Sequence, residues 1–485
     1  MNHSEGKRLG LNFISGSSYM ISAEAIYFLA GYMIHIVAAS QVSPLDYGRF
    51  GIIMSLMGLI YVLLGTGLPE SLTKHISEGF DARQTYFLVL KYQVVVSLIL
   101  FILLFFSSSY ISDLLGDEDL EVYIKSISFL IILRSIFHIN RGFLNGLSKF
   151  GLSSIMSIVN NISKSFLSIL FLLMGYGIFS MIGSYMAATL LAIIISFIFI
   201  YSIEIPSGKQ IKSANLFVFT IPLIIFTICH TIMDSTGIFF IKSMITDPNT
   251  TGYFNSAKVL SSTIVTIGFA ISYTTLPTAS KIYSTQNHYA MQNFIGNIMR
   301  YLFLILCPII ICIYLTSNEL ISFFFPNDYV AASRSLEILI ISSSFFAVFI
   351  VQASIINGTG NPKLPMIISL LLIPLFIILN IELITRYGMV GSPLSSLICN
   401  IIGTIILTSF LFHKYQTFIL LKNIKFFFTI NLILFLFIYK ITSIFQFYNF
   451  TLILLYLFSG LVYIYSWYLI EFKNGDKFNM VNYVS

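Results

Sequence analysis

The fourth long apolar stretch of the chain carries an unusual set of polar side chains. Arg134, His138, Arg141 and Asn145 are spaced i, i+4, i+7 and i+11, which places them on one face of a helix. The fifth and eighth apolar stretches carry similar polar stripes, with members Ser157, Asn160, Asn161, Lys164 and Ser168, then Asn255, Lys258, Ser261, Ser262 and Thr266. Polar groups in apolar helices are costly, and they usually face a protein interior. The stripes therefore predict a wet, basic cavity between helices.

A structural alternative stays open for the same residues. Basic side chains near a helix end can extend to the membrane interface, and Ser or Asn can hydrogen-bond one helix to another. Arg134 and Lys164 lie deep in their stretches, so for them we favour the cavity. For Arg141 and Lys258 the interfacial alternative is the stronger one.

Acidic groups inside the apolar stretches are fewer. Glu24 lies in the first stretch, and Asp234 lies in the seventh, one turn after His230. A carboxylate held in a low dielectric can exchange a proton or bind a cation. We therefore predict ion coupling, by H⁺ or Na⁺, at Glu24, Asp234 and His230, with a structural ion pair as the open alternative. No cofactor or metal site is expected.

One loop is strongly acidic. It carries Asp113, Asp117, Glu118, Asp119 and Glu121. The run Asp117-Glu118-Asp119 is similar to the acidic metal motif of membrane glycosyltransferases. Because charged loops are usually solvated, we expect these side chains to face water.

Composition decides which elements must position these groups. The 485 residues are 57% hydrophobic and 9% charged, whereas soluble domains carry about 25% charged residues. Such a chain needs lipid as its solvent, and helices satisfy their own backbone there. No phosphate-binding GxxxxGK[ST] loop is present, and no Lys/Arg run indicates nucleic acid. The sequence thus predicts an all-α polytopic membrane protein without a soluble catalytic domain.

Apolar runs of about 20 residues, long enough to cross a bilayer as helix, predict about 14 transmembrane helices. They lie at 15–38, 48–67, 86–108, 122–144, 152–174, 178–203, 215–240, 254–276, 297–316, 334–356, 364–385, 390–412, 425–442 and 450–470. Most of the 26 Lys and Arg residues fall in segments that the predicted spans place on the same side of the membrane as the N-terminus. Basic loops stay in the cytoplasm, so both termini are predicted to be cytoplasmic.

The chain also contains an internal repeat. Residues 47–50 (YGRF) and Leu68-Pro69 recur as 252–254 (GYF) and Leu276-Pro277, while Asn145-Gly146 and Tyr176-Gly177 recur as Asn357-Gly358 and Tyr387-Gly388. The motifs recur in the same order along the chain, at an offset that drifts only slowly. Transporters are often built from such repeats. We predict an N-lobe at 1–203, a C-lobe at 204–413 and two appended helices at 414–485.

Four segments resemble a known family. Residues 44–50 (PLDYGRF) and 65–78 (GTGLPESLTKHISE) look like the opening of Wzx-type polysaccharide flippases, and 145–149 (NGLSK) and 387–391 (YGMVG) are also similar to that family. The two segments nearest the N-terminus carry most of the specificity, in a variant that looks most like archaeal members. The resemblance implies a MATE-like fold of the MOP superfamily, with two six-helix lobes in a V and two C-terminal helices.

The resemblance also implies a function. Family members move lipid-linked oligosaccharides from the cytoplasmic leaflet to the outer leaflet of the cell membrane, and polysaccharide-assembly enzymes are expected partners. In that setting Arg134, Arg141, Lys164 and Lys258 would bind the cargo phosphate through charge-assisted hydrogen bonds. Two alternatives stay open: a multidrug or cation antiporter of the same fold, and a membrane polysaccharide polymerase or glycosyltransferase. The flippase is favoured because basic residues outnumber acidic ones in the spans and the predicted outer loops are short.

Overall fold

The computed structural model describes residues 26–205, 207–209, 213–416, 424–444, 456 and 459–463. These residues are helical almost throughout. The helices up to residue 244 are α1 (Ile26–Gln41), α2 (Pro44–Gly65), α3 (Leu68–Ser77), α4 (Ala82–Leu114), α5 (Leu120–Gly146), α6 (Phe150–Leu173), α7 (Ile178–Tyr201) and α8 (Ser213–Met244). Those that follow are α9 (Thr250–Ser284), α10 (His288–Leu315), α11 (Ser317–Phe324), α12 (Ser333–Gly358), α13 (Lys363–Tyr387), α14 (Gly391–Tyr415) and α15 (Ile424–Ile444).

Within the described residues, nine continuous helical segments are long and apolar enough to cross a membrane. One of them, Lys363–Tyr415, contains both α13 and α14. The predicted class, an all-helical protein with many membrane spans, is thereby confirmed. The predicted spans from 48 to 442 each coincide with a helix, and α1 covers residues 26–38 of the first predicted span. Residues 15–25 and most of 450–470 lie outside the described residues.

One helix continues well beyond its predicted apolar span. The eighth span was expected near 254–276, and α9 runs through Pro277 to Ser284. A proline removes one backbone donor, and a long membrane helix can tolerate that loss without ending. The equivalent pair in the first half behaves differently, because α2 ends at Gly65 and α3 begins at Leu68.

The helices pack into two compact units, Met1–Gly252 and Tyr253–Ser485. In the first unit α4 pairs with α5 and α6 with α7; α5 also packs on α2, α3 and α7, and α8 packs on α2 and α3. In the second unit α12 packs on α10, α13 and α14, and α15 packs on α10. Helix α8 thus groups with the helices before it, and the predicted boundaries after 203 and 413 stay predictions.

Side-chain caps explain where several helices begin. The Ser43 hydroxyl accepts from the Asp46 N–H at 3.1 Å at the start of α2. Asp81 accepts from Gln84 N–H at 2.7 Å at the start of α4, and Asn287 accepts from Ala290 N–H at 2.9 Å at the start of α10. Each cap satisfies one of the backbone donors that the first helical turn leaves unpaired.

The turn after α5 has the same geometry as the turn after α12. Ser148 adopts a left-handed φ of 58° and donates its N–H to Asn145 O at 2.9 Å; Gly360, at the equivalent position of the repeat, has φ 79° and donates to Asn357 O at 3.0 Å. In each unit the preceding glycine is required by a close approach. A Cβ on Gly146 would lie 2.9 Å from Ile76 Cβ, and one on Gly358 would lie 2.7 Å from the Leu276 carbonyl oxygen. These matched turns support the repeat that the sequence motifs indicate.

Candidate functional site: a basic cavity in the first unit

A cavity of about 360 Å³ lies among α1, α2, α5, α6 and α7 of the first unit. Three of its lining side chains are basic, and most of the others are polar or aromatic. The lining residues are Tyr27, Met54, Gly58, Tyr61, Arg134, Phe137, His138, Arg141, Ser157, Asn160, Asn161, Lys164 and Tyr185. Its volume lies in the range of small-molecule sites.

Helix α5 supplies one wall of the cavity. Arg134, Phe137, His138 and Arg141 follow one another closely along one helical face, and that face presents all four to the cavity. The sequence pattern placed Arg134 and Arg141 on this face. Arg141, for which a membrane interface was the stronger alternative, lines the cavity beside Arg134.

Helix α6 supplies a second polar wall. Ser157, Asn160, Asn161 and Lys164 all line the cavity, and Lys164 is only 3% exposed. The amide and hydroxyl groups can donate hydrogen bonds to oxygen atoms of a ligand, as the basic groups can. The wall therefore combines positive charge with neutral donors.

Aromatic rings, and not acidic groups, contact the two deep cations. Lys164 Nζ lies 5.1 Å from the centroid of the Tyr27 ring and 4.9 Å from that of Tyr185. Arg134 Cζ lies 5.3 Å from the ring centroids of both Tyr61 and Phe137. No carboxylate is among the described residues that line the cavity. A positive charge removed from water is costly unless an anion balances it, so the cavity suits an anionic ligand.

Some residues of the polar stripes hydrogen-bond one helix to another, which was the structural alternative for these stripes. Ser168 and Ser184 hydroxyls lie 2.5 Å apart across α6 and α7. Asn160 Nδ2 also donates to Thr189 Oγ1 at 3.4 Å. Ser168 is therefore part of a helix–helix contact, while Asn160 serves both the contact and the cavity.

The remaining predicted site residues lie elsewhere or outside the description. Lys258 is half-buried on α9, in the second unit. His230 and Asp234 lie on α8, and neither is among the described residues that line the cavity. Glu24 lies outside the described residues. Their proposed roles in phosphate binding and ion coupling stay predictions.

In the acidic loop between α4 and α5, the side chain of Asp117 does not face water as expected. Its side chain is buried, and its two carboxylate oxygens accept from Arg49 Nε at 3.0 Å and Nη2 at 2.8 Å. Lys242 Nζ donates to the same carboxylate at 2.6 Å. Burial opposes ionisation, but the hydrogen bonds and charges of Arg49 and Lys242 outweigh it and hold the pKa of Asp117 below its usual value. The prediction of solvated side chains was wrong for Asp117, because α2 and α8 bring two cations to it.

Three tyrosines of the cavity were missed by the sequence analysis. Tyr27, Tyr61 and Tyr185 line the cavity from α1, α2 and α7. Tyrosines in a membrane protein are expected at the two interfaces, and these three belong to no polar stripe. The contacts of their rings with basic side chains join residues that are far apart in sequence.

The fold defines the class of the protein. The chain superposes on lipid II flippase MurJ in an inward closed conformation with a TM-score of 0.72, at 19% identity over 95% of this chain and 99% of that one. It superposes on an inward-facing multidrug resistance MATE family transporter of the MOP superfamily with a TM-score of 0.70, at 11% identity over 80% of this chain and 97% of that one. The protein thus has a MATE-like fold.

The family follows from the sequence. Residues 38–334 match the model of the family described as "Polysaccharide biosynthesis protein", which is more than half of the chain, and the chain belongs to that family. The probable low-salt glycan biosynthesis flippase Agl15 of Haloferax volcanii is 23% identical over 78% of this chain and 80% of its own length. The resemblance to Wzx-type flippases is confirmed.

Proposed function

We propose that this protein is a flippase that moves a lipid-linked oligosaccharide from the cytoplasmic to the outer leaflet by alternating access. The observation that carries the proposal is the cavity in the first unit, which gathers three basic side chains without a carboxylate among its described lining residues. The family membership and the flippase relative support the same function.

The chemistry of the cargo suits the cavity. A lipid-linked sugar carries phosphate, and the charged phosphate is the part that hydrocarbon excludes most strongly. Arg134, Arg141 and Lys164 would pair with the phosphate oxygens through charge-assisted hydrogen bonds. Asn160 and Asn161 would donate to phosphate or sugar oxygens, while the lipid tail stays in the bilayer. Lys258 is retained as a further candidate contact on α9.

The membrane arrangement is part of the proposal. We infer two six-helix lobes in a V followed by two further helices, fourteen spans in all, with both termini in the cytoplasm. The MATE-like superpositions support the arrangement, and the excess of basic residues on the N-terminal side supports the orientation. Rocking of one lobe against the other would open the cargo path to each side in turn. Glu24, His230 and Asp234 are the proposed sites at which H⁺ or Na⁺ drives this step.

The rival functions fit the cavity less well. A multidrug antiporter that carries cations would place them beside three positive side chains, which repel them. A polymerase or glycosyltransferase needs a set of catalytic groups, and the described cavity offers no acidic residue for that purpose. We therefore favour a transporter of an anionic cargo over an enzyme.

The test is a flipping assay in proteoliposomes. A fluorescent polyprenyl-diphosphate oligosaccharide is placed in the membrane, and its appearance in the opposite leaflet is followed with a quencher that cannot cross. R134Q and K164Q should each slow flipping by about 10- to 100-fold, because hydrogen bonds to charged groups are worth about 1.5–3 kcal/mol.

The control variant is K91Q, which removes an exposed lysine from α4. It should flip the lipid at the wild-type rate, and all three variants should give a single symmetric peak in size-exclusion chromatography. Wild-type flipping by both R134Q and K164Q would show that the cavity is not the cargo path. Transport of a cationic dye without lipid flipping would identify an antiporter.

A further inference from the structure

Each deep cation of the cavity lies close to two aromatic rings. The ring pairs are Tyr27 with Tyr185 around Lys164, and Tyr61 with Phe137 around Arg134, at 4.9–5.3 Å. The four rings come from α1, α2, α5 and α7. Neither cation forms an ion pair with any residue that the structure describes.

An aromatic ring and a carboxylate have different effects on a neighbouring cation. A carboxylate accepts the N–H donors of its partner and neutralises its charge, and a competing anion must then break that pair. An aromatic face attracts the cation through its quadrupole and accepts no conventional hydrogen bond. The N–H donors of Lys164 thus stay available, and so does Arg134 Nε, which has no hydrogen-bond partner within the described part of the chain.

The helices that carry the rings are fixed close to the cations. The Ser165 hydroxyl, adjacent to Lys164 on α6, donates to the Ala30 carbonyl on α1 at 2.9 Å. Ala30 lies one helical turn after Tyr27, so this hydrogen bond sets the height of the Tyr27 ring against Lys164. Tyr185 is 5% exposed on α7, which packs along the length of α6.

We propose that Tyr27, Tyr61, Phe137 and Tyr185 are positioning residues of the anion site. These rings, and not acidic counter-ions, position Lys164 and Arg134. The positive charge and the available N–H donors can therefore bind the phosphate of the cargo. This proposal rests on the proposed function, since it assumes that an anion binds in the cavity. It adds that at Lys164 the ring faces of Tyr27 and Tyr185, and not their hydroxyl groups, are the parts that act.

The experiment compares loss of the hydroxyl with loss of the ring at one position. Binding of farnesyl diphosphate to the full-length protein in nanodiscs is measured by calorimetry for the wild type, Y185F and Y185L. Y185F keeps the ring and should bind within about twofold of the wild type. Y185L should bind about 10- to 30-fold more weakly, because the ring that holds Lys164 in its binding position is then absent and the lysine must be ordered when the anion binds.

A double-mutant cycle separates positioning from a general structural role. In K164Q the cation is absent, so adding Y185L should weaken binding by less than about twofold further. The same loss in both backgrounds would overturn the proposal, since it would show that Tyr185 supports the fold and not Lys164. Equal weakening in Y185F and Y185L would also overturn it, because the hydroxyl would then be the active group.

The failure of the proposed function is distinguishable in the same series. If wild-type protein does not bind farnesyl diphosphate more tightly than the neutral farnesol, the cavity is not an anion site and both proposals fall. If the wild type prefers the diphosphate but Y185L binds it equally well, the anion site stands and the positioning role is refuted.

Discussion

Replacing Asp117 by Asn should destabilise the first unit strongly. The Asp117 carboxylate is 5% exposed and accepts from Arg49 and Lys242, whose side chains are 13% and 9% exposed. Breaking a buried ion pair by removing one partner costs about 3–5 kcal/mol. In D117N, Arg49 would still pair with Asp46 at 3.1 Å, and the new asparagine oxygen could still accept one hydrogen bond. We therefore expect a loss of about 3 kcal/mol for D117N at pH 7, at the lower end of that range.

The pH dependence gives this prediction a definite sign. Arg49 and Lys242 hold the pKa of Asp117 below its ordinary value of 3.8. A lowered pKa in the folded state stabilises the fold fully above the unfolded value, and that contribution disappears as the pH falls through the folded pKa. The wild type should thus exceed D117N in stability from about pH 8 down to about pH 4, and the gap should shrink only at lower pH.

The assay is unfolding of the purified full-length protein in detergent, followed by light scattering and by a thiol-reactive dye at several pH values. The matched control is D113N, which changes an exposed aspartate just before the same loop. D113N should match the wild type at every pH. A D117N variant as stable as the wild type at pH 7, or a gap that persists unchanged far below the folded pKa, would refute the energetic role of the Asp117 ion pairs.

Two further predictions concern backbone geometry. S148G should raise the free energy of unfolding by about 0.5–1 kcal/mol, because Ser148 has a φ of 58° that glycine adopts without strain. G360S should lower the free energy of unfolding by a similar amount. If thermal unfolding gave the opposite sign for both variants, the matched turns would be contradicted. G252A should lower the free energy of unfolding by about 3 kcal/mol, because its Cβ would lie 1.9 Å from the Pro44 carbonyl oxygen. G183A, where the Cβ would contact nothing within 4 Å, is the control, and equal stability of the two alanine variants would show that the backbone around Gly252 can move away from Pro44.

The residues that periodicity could predict are those that share a helix. Arg134 and Arg141 recur at a helical spacing on α5, as Asn160 and Lys164 do on α6, and all four line one cavity. The helices themselves followed from apolar runs for the same local reason. Sequence spacing is sufficient when one face of one element carries the pattern.

The contacts that sequence could not predict join distant helices. Asp117 lies between α4 and α5, but it pairs with Arg49 on α2 and with Lys242 on α8. No local pattern indicates which loop folds onto which helix end, so the acidic loop was expected to face water. Tyr61 and Tyr185 were missed for a similar reason, because a tyrosine at an interface and one beside a buried lysine look alike in sequence.

The matched turns after α5 and α12 allow the two halves to be compared position by position. When Asn357 is aligned with Asn145, Phe346 stands where the first half has Arg134, and Ile350 stands where it has His138. Both second-half side chains are buried apolar groups. The two halves thus keep the same turn while they differ in charge at these positions. The turn after α12 forms beside apolar side chains, so this turn geometry does not depend on the basic residues that line the cavity of the first unit.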